Sequence, residues 1–123
     1  MKTYTPLHTP TDKAKLASLI EAIRLNQPIQ PIVINGEQAI TGSHRVRAFE
    51  IAFEKYRNQE AGWEDTAEPS IPVVEIDDET LVAACNAIGA DDFSEVVHYD
   101  DLYIEIERLA SGEELKAAVA DQY

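Results

Sequence analysis

The stretch QPIVINGEQAITGSHRVRA, residues 30–48, determines most of what can be inferred about this chain. Its first part contains two short β-prone runs, 32–34 and 38–40. They are joined through Asn35-Gly36, a dipeptide that tolerates the positive φ angles of a two-residue hairpin turn. Gly42 then permits a sharp turn, and Ser43 is predicted to be the N-cap of a helix. The stretch therefore predicts a β-hairpin that leads directly into a helix.

The first turn of this predicted helix is positively charged. Cations are unfavourable there, because the N-terminal end of a helix macrodipole is already positive. Main-chain amides at a helix start, together with guanidinium groups, favour phosphate, sulfate or carboxylate. The predicted phosphate-binding turn consists of Gly42, Ser43, His44, Arg45 and Arg47, with His44 as its candidate catalytic acid or base. The alternative is that both arginines pair with carboxylates of this acidic chain.

One helix is predicted before the hairpin and a longer one after the glycine turn. Residues 9–12 carry the signals of a helix start, with Pro10 at the first helical position, and Asn26 and Pro28 end the run. This helix is expected to lie on the sheet. The longer helix runs to about residue 58, and its buried positions recur at helical spacing: Val46, Phe49, Ala52, Phe53 and Tyr56.

The segment 58–70 lacks hydrophobic periodicity and is predicted to be a loop. Trp63 within it either anchors the loop to the core or offers a stacking surface to a base or a partner. The β-branched run 71–76 predicts a closing strand, with Pro72 near its start.

From residue 16 to residue 76, this order of elements resembles the core of the ParB and sulfiredoxin superfamily. The shared features are an amphipathic helix, a strand that starts at Gln30-Pro31, a hairpin, a Gly-x-x-Arg turn, a long helix and a closing strand. ParB-like proteins have Gly-Glu-Arg-Arg-x-Arg-Ala at the turn. This chain matches that pattern at Gly42, Arg45, Arg47 and Ala48, and replaces its Glu and Arg by Ser43 and His44.

Sulfiredoxins have Gly-Cys-His-Arg at the same turn. Gly42, His44 and Arg45 match that pattern, whereas Ser43 stands where the catalytic cysteine would be. A serine hydroxyl without an activating base is a poor nucleophile and cannot form the sulfur-linked intermediate of sulfinic acid reduction. We therefore do not expect sulfiredoxin activity.

The ParB resemblance implies binding of a nucleoside triphosphate, with Mg²⁺ as a candidate companion, or of a phosphorylated small molecule. Gln30, Pro31 and Trp63 are candidates for the rest of the pocket, because they lie near the turn in the superfamily's arrangement. The sequence contains no recognisable helix-turn-helix, so DNA clamping is not expected. The superfamily includes small-molecule kinases and proteins described as nucleases, and phosphotransferase, nucleotide hydrolase and nuclease activities therefore stay open.

The charge of the chain is unevenly distributed. Its 123 residues carry a net charge of -13, and 17 of the 23 acidic residues, but only two of the ten basic ones, lie in 63–123. Nucleic-acid binding depends on neutralising phosphates with Lys and Arg, so direct binding of DNA or RNA is not expected. The acidic end could instead dock on a basic protein partner, which would make the chain a non-enzymatic interaction module.

We predict an α+β fold, a small mixed sheet with packed helices. A ParB/sulfiredoxin-like core spans 1–78, and an acidic helical extension, 79–123, packs on the same domain. The extension is expected to start with a helix that Asp77 or Asp78 caps, that buries Cys85 and that ends at Gly89.

Several simple features bear on location and on metal chemistry. There is no apolar run long enough to span a bilayer and no secretory signal, and Cys85 is the only cysteine, so a cytoplasmic location is expected. The three histidines, His8, His44 and His98, are far apart and form no zinc-binding pattern, so no metal site is predicted.

Overall fold

A computed structural model describes residues 1–6 and 9–87, which form a four-stranded mixed sheet and three helices. The strands are β1 (Thr5–Pro6), β2 (Ile32–Asn35), β3 (Gln38–Ala39) and β4 (Val73–Glu75), and the helices are α1 (Lys13–Arg24), α2 (Ser43–Arg57) and α3 (Asp78–Ala87). The strand order is β1-β3-β2-β4, with β2 and β3 antiparallel and the other two pairs parallel. The predicted α+β class with a small mixed sheet is confirmed.

Strand β2 is the buried centre of the sheet. Ile32, Val33 and Ile34 are all buried, as expected for an apolar run flanked by strands on both sides. Strand β4 lies beside it and alternates, so that only Val74 of its three residues is buried. The carbonyl of Pro72, just before β4, accepts a hydrogen bond from the N–H of Ile32 (3.0 Å).

The hairpin forms, but its loop is one residue later than predicted. Asn35 still belongs to β2 and is paired with Gln38, so the two loop residues are Gly36 and Glu37. Gly36 alone needs the positive φ angle (61°). Asn35 is retained in the sheet because its side-chain amide donates to the Ile76 carbonyl (3.0 Å) and to the Asp78 carboxylate (2.9 Å).

Helix α1 begins later than predicted and packs chiefly against α2 rather than on the sheet. Pro10 precedes the helix, and Asp12 is the N-cap, with its carboxylate accepting from the N–H of Lys15 (3.0 Å). At the other end, Asn26 adopts a positive φ of 58°, and its N–H and that of Gln27 donate to carbonyls of the last turn. This Schellman pattern ends the helix where the sequence predicted.

Helix α2 carries the predicted buried stripe. Val46, Phe49 and Ala52 are buried, and Phe53 and Tyr56 are half-buried. The helix ends as α1 does, with a residue of positive φ, Gln59 (53°), after its last turn.

The segment 58–70 is held against the end of α1. The side chain of Asn26 bridges it, since its amide donates to the Asp65 carbonyl (3.0 Å) and its oxygen accepts from the N–H of Ala67 (2.8 Å). The Thr66 hydroxyl donates to the Arg24 carbonyl (2.7 Å). Trp63 is buried in the core cluster, so it anchors the loop and offers no stacking surface.

Helix α3 starts as predicted, with Asp77 accepting from the N–H of Thr80 (2.7 Å). Cys85 is buried on its inner face together with Leu81 and Ala84. The predicted end at Gly89 and the rest of the predicted helical extension lie outside the described residues, and the division of the chain at residue 78 stays a prediction.

The Asp77 cap gives a pH-dependent prediction. Hydrogen bonds from the side chain and the backbone N–H of Thr80 hold the pKa of the Asp77 carboxyl below its usual 3.8. Because the pKa is lower in the folded state than in the unfolded state, this stabilisation is present above pH 3.8 and is lost as the pH falls through the folded-state pKa. We expect Asp77→Ala to reduce the free energy of unfolding at neutral pH, and the reduction to shrink in acid.

Urea unfolding of the wild type and of Asp77→Ala, at neutral pH and in acid, measures the change in the free energy of unfolding. Glu79→Ala, an exposed acidic position in the same first turn, is the matched control and should have a smaller effect. A loss for Asp77→Ala that is the same in acid and at neutral pH would contradict the proposed cap.

Candidate functional site

The turn between β3 and α2 begins with an irregularity at the end of the sheet. The N–H groups of Ile40 and Thr41 both point to the Val33 carbonyl (2.8 and 3.4 Å), which is the hydrogen-bond pattern of a β-bulge. The buried Thr41 hydroxyl accepts from the N–H of Val33 (3.1 Å). The chain therefore leaves the sheet at a fixed point and direction.

Gly42 is the N-cap of α2 and has a left-handed conformation, with φ of 86°. Ser43 is consequently the first helical residue rather than the predicted N-cap, and it is buried. A Cβ atom at position 42 would overlap the Cγ2 atom of Ile32 and would lie 3.0 Å from Nε of Arg45. Both the backbone angle and the absence of a side chain are thus required here.

We predict that Gly42→Ala destabilises the fold far more than Gly36→Ala. Both glycines have positive φ, but a Cβ at position 36 meets no atom within 4 Å. The strain of a left-handed alanine alone costs about 1–2 kcal/mol, whereas added overlap with a buried side chain raises the cost at position 42 to roughly 2–4 kcal/mol. Urea unfolding of both variants measures the difference, and equal losses would show that the contact with Ile32 is unimportant.

Arg45 extends from the first turn of α2 to the segment before β2. Its Nη1 atom donates to the carbonyls of Gln30 (2.9 Å) and Pro31 (2.6 Å). The acceptors of these two hydrogen bonds are main-chain carbonyls and not the carboxylates of the alternative prediction. The guanidinium joins the start of α2 to the start of β2.

Removal of this link should destabilise the protein. In Arg45→Ala the carbonyls of Gln30 and Pro31 lose their donor, and we expect a loss of about 1–3 kcal/mol in the free energy of unfolding. Arg57→Ala, at the exposed C-terminal end of the same helix, should cost less than about 1 kcal/mol. Chemical denaturation of both variants checks this, and equal effects would argue against a structural role for Arg45.

His44 lies where the first turns of α1 and α2 meet. Its Nε2 atom accepts a hydrogen bond from the N–H of Asp12, the N-cap of α1 (3.1 Å). This bond requires a lone pair on Nε2, and therefore a neutral imidazole with its proton on Nδ1. The geometry gives His44 a role in aligning the two helices, and its predicted role as an acid or base stays a prediction.

Arg47 is the exposed cation of the turn. Its side chain is 52% exposed, and its Nη1 atom lies 3.7 Å from the Glu50 carboxylate one helical turn later. An exposed pair of this kind contributes little and can exchange partners easily. The pairing with a carboxylate that the sequence allowed is therefore present at Arg47, in a weak form.

The structure brings together most of the predicted site residues. Gln30 and Pro31 meet the predicted phosphate-binding turn through Arg45, whereas Trp63 belongs to the core cluster instead. Sequence reasoning missed Asp12, which contacts His44 from a position 32 residues earlier in the chain. Its only sequence signal was that of a helix start.

Two negative findings apply to residues 1–6 and 9–87. They contain no group of three His, Cys, Asp or Glu residues placed to hold a metal ion. None of their helices has both the length and the apolar character needed to cross a membrane. The predicted cytoplasmic location stays a prediction.

These features define a small α+β domain in which a bulged hairpin and a left-handed glycine lead into a cationic helix start. A family model described as the ParB N-terminal domain matches residues 1–85. This match spans more than half of the 123 residues and includes the Gly42 turn, and the chain therefore belongs to the ParB N-terminal domain family. Neither a curated protein nor a solved structure gives a significant match.

Proposed function

We propose that this protein binds a nucleotide or another phosphorylated small molecule at the start of α2. The observation that carries the proposal is the charge of that helix start. The first turn of α2 contains Arg45 and no acidic residue, and Arg47 follows directly. In a chain with a net charge of -13, this local excess of cations at the positive end of a helix dipole favours an anionic ligand.

The geometry supports different roles for Arg45 and Arg47 in this proposal. Arg45 fixes the main chain of Gln30 and Pro31 beside the helix start, so less of the turn needs to be ordered when a ligand binds. Arg47 is exposed and only weakly paired, and it is the side chain proposed to contact phosphate.

Magnitudes limit what the turn contributes alone. A charge-assisted hydrogen bond adds about 1.5–3 kcal/mol, whereas micromolar affinity requires about 8 kcal/mol. Contacts to the rest of the ligand must supply the difference. A nucleoside triphosphate with Mg²⁺ would meet this requirement through its base, its sugar and several phosphate oxygens, and transfer or hydrolysis of a phosphoryl group is the reaction class that we propose for such a ligand.

Arg47 gives the sharpest test, because Arg45→Ala would change stability as well as binding. Isothermal titration calorimetry with ATP, CTP and GTP, each with and without Mg²⁺, measures affinity for the wild type and two variants. Arg47→Gln should weaken binding about tenfold, which corresponds to the loss of one charge-assisted hydrogen bond. The matched control is Arg57→Gln, which removes an exposed arginine from the other end of α2 and should bind like the wild type.

Two results would refute the proposal. One is the absence of saturable binding by any of the nucleotides. The other is an equal loss for Arg47→Gln and Arg57→Gln, because this would mean that the ligand responds to the total charge of the chain rather than to the start of α2.

A further inference from the structure

We propose that a groove beside the C-terminal end of α1 binds a short basic segment of another protein through one apolar anchor side chain. The groove has a volume of about 240 Å³ and lies between the C-terminal end of α1, α2 and the chain before β4. Its floor consists of Ile23, Ile29 and Phe49, and Pro69 and Pro72 form part of its wall. None of these lining residues belongs to the phosphate-binding turn, and the proposal does not rest on the proposed function.

The floor of the groove is apolar, and its rim is polar. Ile23, Ile29 and Phe49 belong to the hydrophobic core cluster and are only 4–8% exposed. The rim carries exposed residues that can hydrogen-bond to a main chain, among them Asn26, Gln27 and Ser70. An apolar centre surrounded by a polar rim is the usual arrangement of a protein-recognition site.

The wall of the groove is built before any partner arrives. Asn26 holds the main chain of Asp65 and Ala67 with its side-chain amide, and Thr66 donates to the carbonyl of Arg24. Segment 58–70 is therefore fixed to the end of α1 at Asp65, Thr66 and Ala67. A groove with fixed walls binds without the entropy cost of ordering a loop.

The size of the groove selects the occupant. Pockets that enclose drug-sized ligands measure about 300–1,000 Å³. A volume of about 240 Å³ is below this range and is too small to enclose a nucleotide, but it is sufficient for one large apolar side chain. A single anchor that fills a desolvated pocket is the common form of a binding hot spot.

The charge beside the groove determines the character of the partner. Segment 58–70 contains four exposed acidic residues and no Lys or Arg, and Glu68 lines the groove itself. The nearby Arg24 is already engaged, since it pairs with Glu21 and donates to the Gly62 carbonyl (3.1 Å). Lys or Arg residues on both sides of an apolar anchor would complement this rim and speed association.

The test uses the full chain and three fluorescein-labelled peptides. The first peptide has a central Leu flanked by Lys and Arg, the second has Ala in place of Leu, and the third has Glu in place of every basic residue. We expect saturable binding of the first peptide by fluorescence anisotropy, at least about tenfold weaker binding of the second, and no measurable binding of the third.

Two variants of the protein locate the peptide. Glu68→Lys reverses the charge of the rim, and Ser70→Trp fills the groove from an exposed position. Each should weaken binding of the first peptide at least about fivefold, whereas Glu37→Lys, the same charge change in the exposed hairpin loop, should leave the affinity within about twofold of the wild type. Circular dichroism and thermal unfolding establish whether each variant is folded. If Ser70→Trp is not folded, the effect of Glu68→Lys on peptide affinity tests the proposal by itself.

Three outcomes would overturn the proposal. The first is no binding of the Leu peptide. The second is equal binding of the Leu and Ala peptides, which would mean a general attraction to an acidic chain. The third is an equal effect of Glu68→Lys and Glu37→Lys. None of these results depends on nucleotide binding at α2, so the two proposals can fail separately.

Discussion

The close contact between Gly42 and Ile32 is the constraint on which the arrangement of this domain depends. A left-handed residue without a side chain allows α2 to start directly over the central strand of the sheet. Any Cβ atom at position 42 would push the helix start away from β2. Because Arg45 lies one turn into that helix, its reach to the carbonyls of Gln30 and Pro31 depends on the same contact.

The two long helices form one unit through contacts at both of their ends. At the N-terminal ends, His44 accepts from the N-cap amide of Asp12. At the C-terminal end of α1, Asn26 and Thr66 hold the segment that follows α2. These bonds involve residues that are 32 or more positions apart, so they fix the position of the helix pair as well as its local structure. The buried Trp63 closes the same interface with apolar area.

Charge divides the described surface into regions with different preferences. The start of α2 is cationic in a chain that is strongly acidic overall, whereas the charged side chains of segment 58–70 are all acidic. An anion is attracted to the first region and a basic segment to the second, and at physiological salt such preferences act over a Debye length of about 8 Å. The two proposed binding surfaces therefore favour ligands of opposite charge.

The sequence by itself determined the features that depend on neighbouring residues. The order of elements from α1 to α3, the glycine turn, the cationic helix start and a cap at Asp77 or Asp78 were all predicted, because turn chemistry, capping and hydrophobic periodicity act over a few positions. Only the tertiary structure decided which groups these residues contact: carbonyls for Arg45, the Asp12 amide for His44 and the core for Trp63. It also decided the shift of the hairpin loop to Gly36-Glu37, because a side-chain bond from Asn35 to Ile76, just after the neighbouring strand β4, outweighs the local turn preference.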